Sequence, residues 1–262
     1  MTIFNAFSKG FGRQSRKQNK KQGLGQGKGS ETSLASSTSN ASSATGSTGA
    51  TTAATNNGQV QGSAFGNKKP LFVRQPFIQS ALVKGSFKTI VILPRYVDLG
   101  DWLALNMFEF FSNLKQFHLV IDEFCTARTC PSMSAGPGLD YLWLDANRKP
   151  IRLPAETYTS YVLTWINNKL NDETLFPTRA NMTFPANFPS TLRNIYRQML
   201  RIFAHYYHNH FETLVHLSME AHWNSFFAHF VSFGREFSLI DKRDIEPLQE
   251  LISAFEAQGK LS

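Results

Sequence analysis

Cys125 and Cys130 are the two cysteines of the chain, five positions apart, and His205 and His210 repeat that spacing after an interval of 74 residues. Two thiols and two imidazoles are the donor set of a tetrahedral Cys₂His₂ zinc site. A nucleic-acid-binding finger keeps its pairs about a dozen residues apart, because one ion organises one small ββα unit. Here an ion would clip a loop onto a distant helix inside one large domain. That role is structural.

The spacing alone leaves the ligand set open. Five positions along an ideal helix turn a side chain through about 500°, so His205 and His210 point about 140° apart. Both reach one ion only if the helix ends or kinks between them. Asn209, tolerant of left-handed backbone, is the expected place. His205 with His208 shares one face without distortion and is the rival pair. The third reading makes all three ordinary helix histidines and the cysteines buried thiols. Zinc has one physical advantage: two thiolates neutralise the dication, so the site can be buried without an unpaired charge. A catalytic zinc needs an open position and a nearby base. Glu123 is the nearest acid to the cysteines, and nothing else marks it as one.

Charge divides the chain in two. Residues 1–66 hold seven basic groups and one acid, +6 of the total +8, leaving 20 basic and 18 acidic groups in 67–262. The high pI therefore belongs to the tail, and nucleic-acid binding by the domain is disfavoured. No apolar run reaches transmembrane length and no signal peptide is recognisable, so a soluble intracellular protein with reduced cysteines is expected.

From Gly23 to about Gly66 the sequence is dominated by Gly, Ser, Thr, Ala, Asn and Gln, with almost no large apolar residues. Such a segment cannot bury enough surface to offset its ordering entropy, which predicts a disordered tail over 1–66. Phe4, Phe7 and Phe11 recur at helical spacing before the basic cluster, so weak membrane or cortical docking is the alternative to a solvated tail. The remainder, 67–262, reads as one all-α domain. Residues 101–120 are apolar nearly all round, which predicts a helix at the bundle centre capped by Asp98. Tyr158, Tyr161, Val162, Trp165, Ile166 and Leu170 follow helical spacing after Pro154. Leu192 to Tyr207 gives a third helix, about Thr213–Phe237 a fourth and Asp244–Ala257 the last.

These residues also match a family. Asp98-Leu-Gly-Asp-Trp102, Glu123-Phe-Cys-Thr126, Cys130-Pro-Ser-Met-Ser-Ala-Gly-Pro137, Asp172-Glu-Thr-Leu-Phe-Pro177 and Arg201-Ile-Phe-Ala-His-Tyr-Tyr-His-Asn-His-Phe211 resemble the Mob (Mps-one-binder) kinase coactivators. The likeness runs from about Ser80 to Leu261. Asp145-Ala-Asn-Arg-Lys-Pro150 and the long polar tail resemble the fungal second Mob branch, which partners NDR-type kinases of polarised growth. The resemblance implies a helical bundle with structural zinc on Cys125, Cys130, His205 and His210. It implies no catalysis of its own: such a protein binds the helical N-terminal extension of an NDR/LATS kinase and activates it. Val97, Asp101 and Trp102 match the positions that meet that basic extension, with Val97 standing where several relatives carry an acid. A cytoplasmic location follows, with the nucleus and sites of polarised growth as further expectations.

Mitotic-branch relatives also bind phosphopeptides through a basic cluster that matches Arg197, Gln198 and Arg201. The neutral Gln198 removes one charge-assisted contact, on the order of 1.5–3 kcal/mol, so phosphopeptide binding is expected to be weak. The solvated-stripe reading of Arg197 and Arg201 stands beside it. Two other function classes compete with the activator: a zinc-dependent hydrolase, for which no base is evident, and a zinc-containing nucleic-acid-binding protein.

Overall fold

The computed structural model describes residues 69–178 and 182–261. The tail expected to be disordered, and the Phe4/Phe7/Phe11 docking segment within it, lie outside the described residues. What is described is mostly helical. Helix α1 spans Lys88–Val91, α2 Leu99–Ile121, α3 Ala155–Leu170, α4 Phe188–Asn209, α5 Phe211–His216, α6 Glu220–Glu236 and α7 Gln249–Ala257. One short antiparallel hairpin, β1 (Trp143–Leu144) with β2 (Pro150–Ile151), sits between α2 and α3.

Helix α2 begins where the sequence says it should. The Asp98 carboxylate accepts from the amides of Gly100 at 2.7 Å and Asp101 at 3.2 Å, satisfying two of the helix's unpaired donors. Its place in the bundle differs from expectation. Leu103, Met107, Phe110, Leu114, Phe117 and Ile121 are buried, but Asp101, Leu105, Phe108, Lys115 and Leu119 form a stripe exposed to solvent. The centre belongs instead to α4 and α6, whose aromatic residues interlock. Tyr196 stacks on Phe230 with centroids 4.0 Å apart, and Phe203 packs against Trp223 at 4.6 Å and Phe230 at 4.7 Å. An apolar count cannot tell a central helix from a peripheral one that keeps an apolar outer face.

Two further boundaries differ. The expected fourth helix is split into α5 and α6 by a turn at Ser218, whose φ is 55°. The last helix opens as a 3₁₀ turn over Glu246–Leu248, where Pro247 has no amide to donate. The segment before α1, which carried no helix signal, is a strap across α4, α5 and α6. Phe72 packs on Tyr207 at 5.3 Å and His208 at 5.1 Å. The buried Asn224 ties it down, donating to the carbonyls of Phe77 and Ser80 while accepting from the Tyr207 hydroxyl. Each polar atom of that amide has a partner, so its burial leaves no hydrogen-bonding group unsatisfied.

His229 lies in this interior, stacked on Phe87 at 5.6 Å and beside Phe110 at 4.9 Å, and burial lowers its pKa to about 4. Its folded value lies below the unfolded one near 6.5, so on acidification the unfolded chain takes up the proton first. The group is neutral to stability above about pH 6.5 and withdraws up to ~3 kcal/mol as pH falls toward 4. His229→Phe is expected to remove that slope. Urea midpoints of both proteins from pH 7 to pH 4 measure it: parallel curves would mean His229 does not titrate in this window.

Candidate metal centre and surface residues

The loop after α2 presents the two cysteines. The Cys125 amide donates to Ile121 O at 3.0 Å and the Cys130 amide to Thr126 O at 2.8 Å. Between them Thr126 and Thr129 close on each other, with the Thr129 hydroxyl donating to Phe124 O at 2.8 Å. The loop thus satisfies its own polar groups and holds both side chains inward. Ala155 N donates to Cys130 O at 3.0 Å, which joins the loop to the start of α3.

The histidines come from the α4–α5 corner. The break between them falls on His210 itself, at φ −128° and ψ 10°, and not on Asn209 as expected. Asn209 stays helical because its side chain is used elsewhere: the amide donates to Ser134 O at 3.0 Å and His205 O at 3.1 Å. Ending the helix at His210 lets its ring swing toward His205, with centroids 5.2 Å apart. His208 goes the other way, its Nε2 bonded to Pro247 O at 2.9 Å. The rival pairing of His205 with His208 is therefore not assembled.

Cys125, Cys130, His205 and His210 come together as a buried cluster, with one potential ligand atom of each within 4.8 Å of all the others. Cys125 Sγ lies 3.5 Å from His205 Nε2 and Cys130 Sγ 3.3 Å from His210 Nε2. Metal–sulfur bonds of ~2.3 Å and metal–nitrogen bonds of ~2.0–2.1 Å set tetrahedrally give a sulfur–nitrogen edge of about 3.5 Å. The donor set and the spacing fit one tetrahedral ion. His205 Nδ1 lies 2.7 Å from Ser134 O, so that nitrogen carries the proton and Nε2 keeps its lone pair toward the sulfurs.

The sulfur pair has a charge conflict of its own. The hydrogen bond from one sulfur to the other, then burial, pushes the Cys125 thiol up, and the same bond holds Cys130 down. One proton is shared because two adjacent buried thiolates repel. A dication at the centre of the four donors would let both ionise. All four residues are at most 6% exposed, so no coordination position faces solvent. Such a site can cross-link but cannot receive a substrate.

The residues singled out on the α2 start are at the surface. Asp101 is exposed, Val97 is 39% exposed, and Trp102 is half-buried with its indole NH donating to Val91 O at 3.3 Å. Trp102 is therefore neither pure core nor a free anchor. Sequence reasoning missed two features here. Tyr96 is 91% exposed with φ 70°, and Phe184 lies over Gly100 so closely that a Cβ would fall 2.3 Å from its ring. Neither a backbone angle nor a contact across 84 positions leaves a local signature.

The basic cluster is engaged internally. Arg197 donates to Asp244 through Nε and to Asp241 through Nη2, each at 3.0 Å. Arg201 donates to the Tyr158 hydroxyl at 2.7 Å and lies over the Tyr141 ring, while that hydroxyl donates to Gln198 Oε1. An incoming phosphate would have to displace two carboxylates from Arg197. The solvated-stripe reading gives way to a clamp between α4 and the α6–α7 connection.

A model of the Mob1/phocein family matches residues 79–248. The chain is similar to the CBK1 kinase activator protein MOB2 of Saccharomyces cerevisiae, 58% identical over 191 residues that cover 73% of this chain and 67% of that protein. Its identity to the maintenance of ploidy protein mob2 of Schizosaccharomyces pombe is 54% over 200 residues, covering 76% of this chain and 82% of that one. A MOB kinase activator-like 1A of Arabidopsis thaliana is 42% identical over 179 residues, covering 68% and 83% respectively. Among the described residues no helix is long and apolar enough to cross a membrane.

Proposed function

This chain belongs to the Mob1/phocein family, and from that membership we propose that it is the non-catalytic activator subunit of an NDR-type protein kinase in polarised growth and morphogenesis. The observation that carries the reading is identity of 54–58% across the helical domain to fungal relatives, one named for activating the CBK1 kinase. The buried, fully protein-liganded centre agrees with it, since it suits a scaffold better than an active site.

In this reading Zn²⁺ is held by Cys125, Cys130, His205 and His210, and it supplies cross-linking alone. The loop at 125–130 is tied to the α4–α5 corner, which fixes α2 against α4. The start of α2 then serves as a rigid platform. Val97, Asp101 and the exposed part of Trp102 receive the basic N-terminal extension of the kinase. Ordering that extension beside the small lobe helps seat the kinase helix whose glutamate pairs with the catalytic lysine, the step on which kinase activity commonly turns. Phosphopeptide binding at Arg197 and Arg201 is weak, because Gln198 is neutral and Arg197 is already paired with Asp241 and Asp244. The protein acts in the cytoplasm and at growth sites, and its tail adds at most a weak membrane contact.

The test is reconstitution. The full chain and a fragment of residues 67–262 are both expected to raise the activity of a purified NDR-type kinase on the order of tenfold. A kinase lacking its N-terminal extension should not respond to either. No stimulation by the full chain would remove the activator reading. Stimulation by the full chain but not by a folded fragment would instead give the tail a direct part in kinase binding.

A further inference from the structure

The chain places Tyr96 at the third position of a tight turn, with Val97 N donating to Pro94 O at 3.2 Å and φ 70° at Tyr96 itself. A turn of this kind calls for glycine or asparagine there, because a Cβ is crowded at positive φ. Among the described residues four non-glycine positions have positive φ: Tyr96, Arg148, Ser218 and Ser238. Tyr96 is the bulky aromatic one, where such a backbone is a true outlier.

The strain gains the folded domain nothing visible. Tyr96 is 91% exposed, and Ile92, Val97 and Leu99, its near neighbours along the chain, are exposed as well. The turn is nevertheless held firmly. Trp102 bonds back to Val91 O before it, and the Asp98 cap fixes the chain after it. Behind the cap, Phe184 fills the space left by Gly100 and stacks on Phe188 at 4.3 Å. A strained, rigidly presented and uncovered aromatic ring is what a binding anchor requires.

The chemistry of the occupant is written on the ring. The Arg95 guanidinium lies 5.0 Å from the Tyr96 centroid, so one face already accepts a cation. Tyr96 is 91% exposed, which leaves the ring accessible to a second cation, and the exposed Asp101 follows in the first turn of α2. We propose that Tyr96 is an aromatic anchor and specificity-determining residue for the basic extension of the kinase, taking an arginine or lysine of that extension against its exposed ring. This rests on the reading of the α2 start as the kinase-binding surface. The domain accepts a strained backbone at Tyr96 in order to display the ring.

Strain and function therefore separate in opposite directions. The probe is the purified N-terminal extension of the yeast CBK1 kinase, titrated against the full-length protein, with melting temperature measured alongside. Tyr96→Gly relieves the turn and removes the ring: affinity is expected to fall at least about tenfold while the melting temperature stays level or rises. Tyr96→Phe should bind like the wild type. If Tyr96→Gly binds normally while Asp101→Lys does not, Tyr96 is no anchor and the surface assignment survives. If neither variant changes binding, or the wild type does not bind, the surface assignment itself falls. A drop in melting temperature parallel to the loss of binding would make Tyr96 a structural residue and overturn the proposal.

Discussion

Serine at both Cys125 and Cys130 is expected to lower the melting temperature by about 10 °C or more. Structural zinc contributes roughly 10–16 kcal/mol of apparent folding free energy in small finger peptides, while a whole domain is stable by only about 5–15 kcal/mol. Loss of even a third of that contribution, at ~2–4 °C per kcal/mol for a domain of this size, gives such a shift. The helices themselves are unchanged, because the cysteines lie in a loop and their backbone bonds to Ile121 and Thr126 do not use the side chains. A chelator should reproduce the shift in the wild type and add nothing in the double variant. Elemental analysis should find one equivalent of zinc. A protein without stoichiometric metal, whose melting curve ignores the chelator, would leave the four residues as a buried polar cluster.

Asp101→Lys should weaken binding of the kinase extension by about ten- to a hundredfold and leave the fold nearly intact. Asp101 is exposed, and its amide is bonded to the Asp98 carboxylate whatever its side chain. A cation in the first turn opposes the helix dipole by only about 0.3–1 kcal/mol. Against a basic partner the reversal turns an attraction into a repulsion, which at interfaces can amount to several kcal/mol. A matched basic-to-acidic change on the kinase extension should restore part of the loss, and a double-mutant cycle measures the coupling. Normal binding and activation by Asp101→Lys would place the kinase elsewhere on the domain.

The readable parts of this molecule were the local ones. The Asp98 cap, Pro154 before α3 and the amphipathic repeat of α4 are each decided within a few residues, and each lies where the sequence puts it. The four residues of the Cys₂His₂ cluster were legible through their paired spacing, although spacing could not separate His208 from His210. That choice depends on Pro247, which captures the His208 ring, and on Asn209, whose amide holds the corner through Ser134. Both partners lie far along the chain. The outward face of α2 was illegible for another reason. Leu105, Phe108 and Leu119 look like core residues by type, and only the packing of α4 against α6 reveals that the centre is already filled. The Arg197 clamp depends likewise on Asp241 and Asp244, which lie 44 and 47 positions along the chain, beyond α6.

The long reach of the Cys₂His₂ cluster has a consequence during synthesis. Each sulfur–imidazole contact joins residues 80 positions apart. At translation rates of roughly 5–20 residues per second, the thiols leave the ribosome about 4–16 s before the imidazoles that complete their set. For that interval the nascent chain carries a naked Cys-x₄-Cys loop, open to oxidants and to softer metals such as copper. A finger whose four donors emerge almost together has no such exposed period. Chains of this kind should therefore depend on the cell's thiol-reducing capacity at the ribosome, and oxidative stress should damage newly made molecules while sparing those already folded.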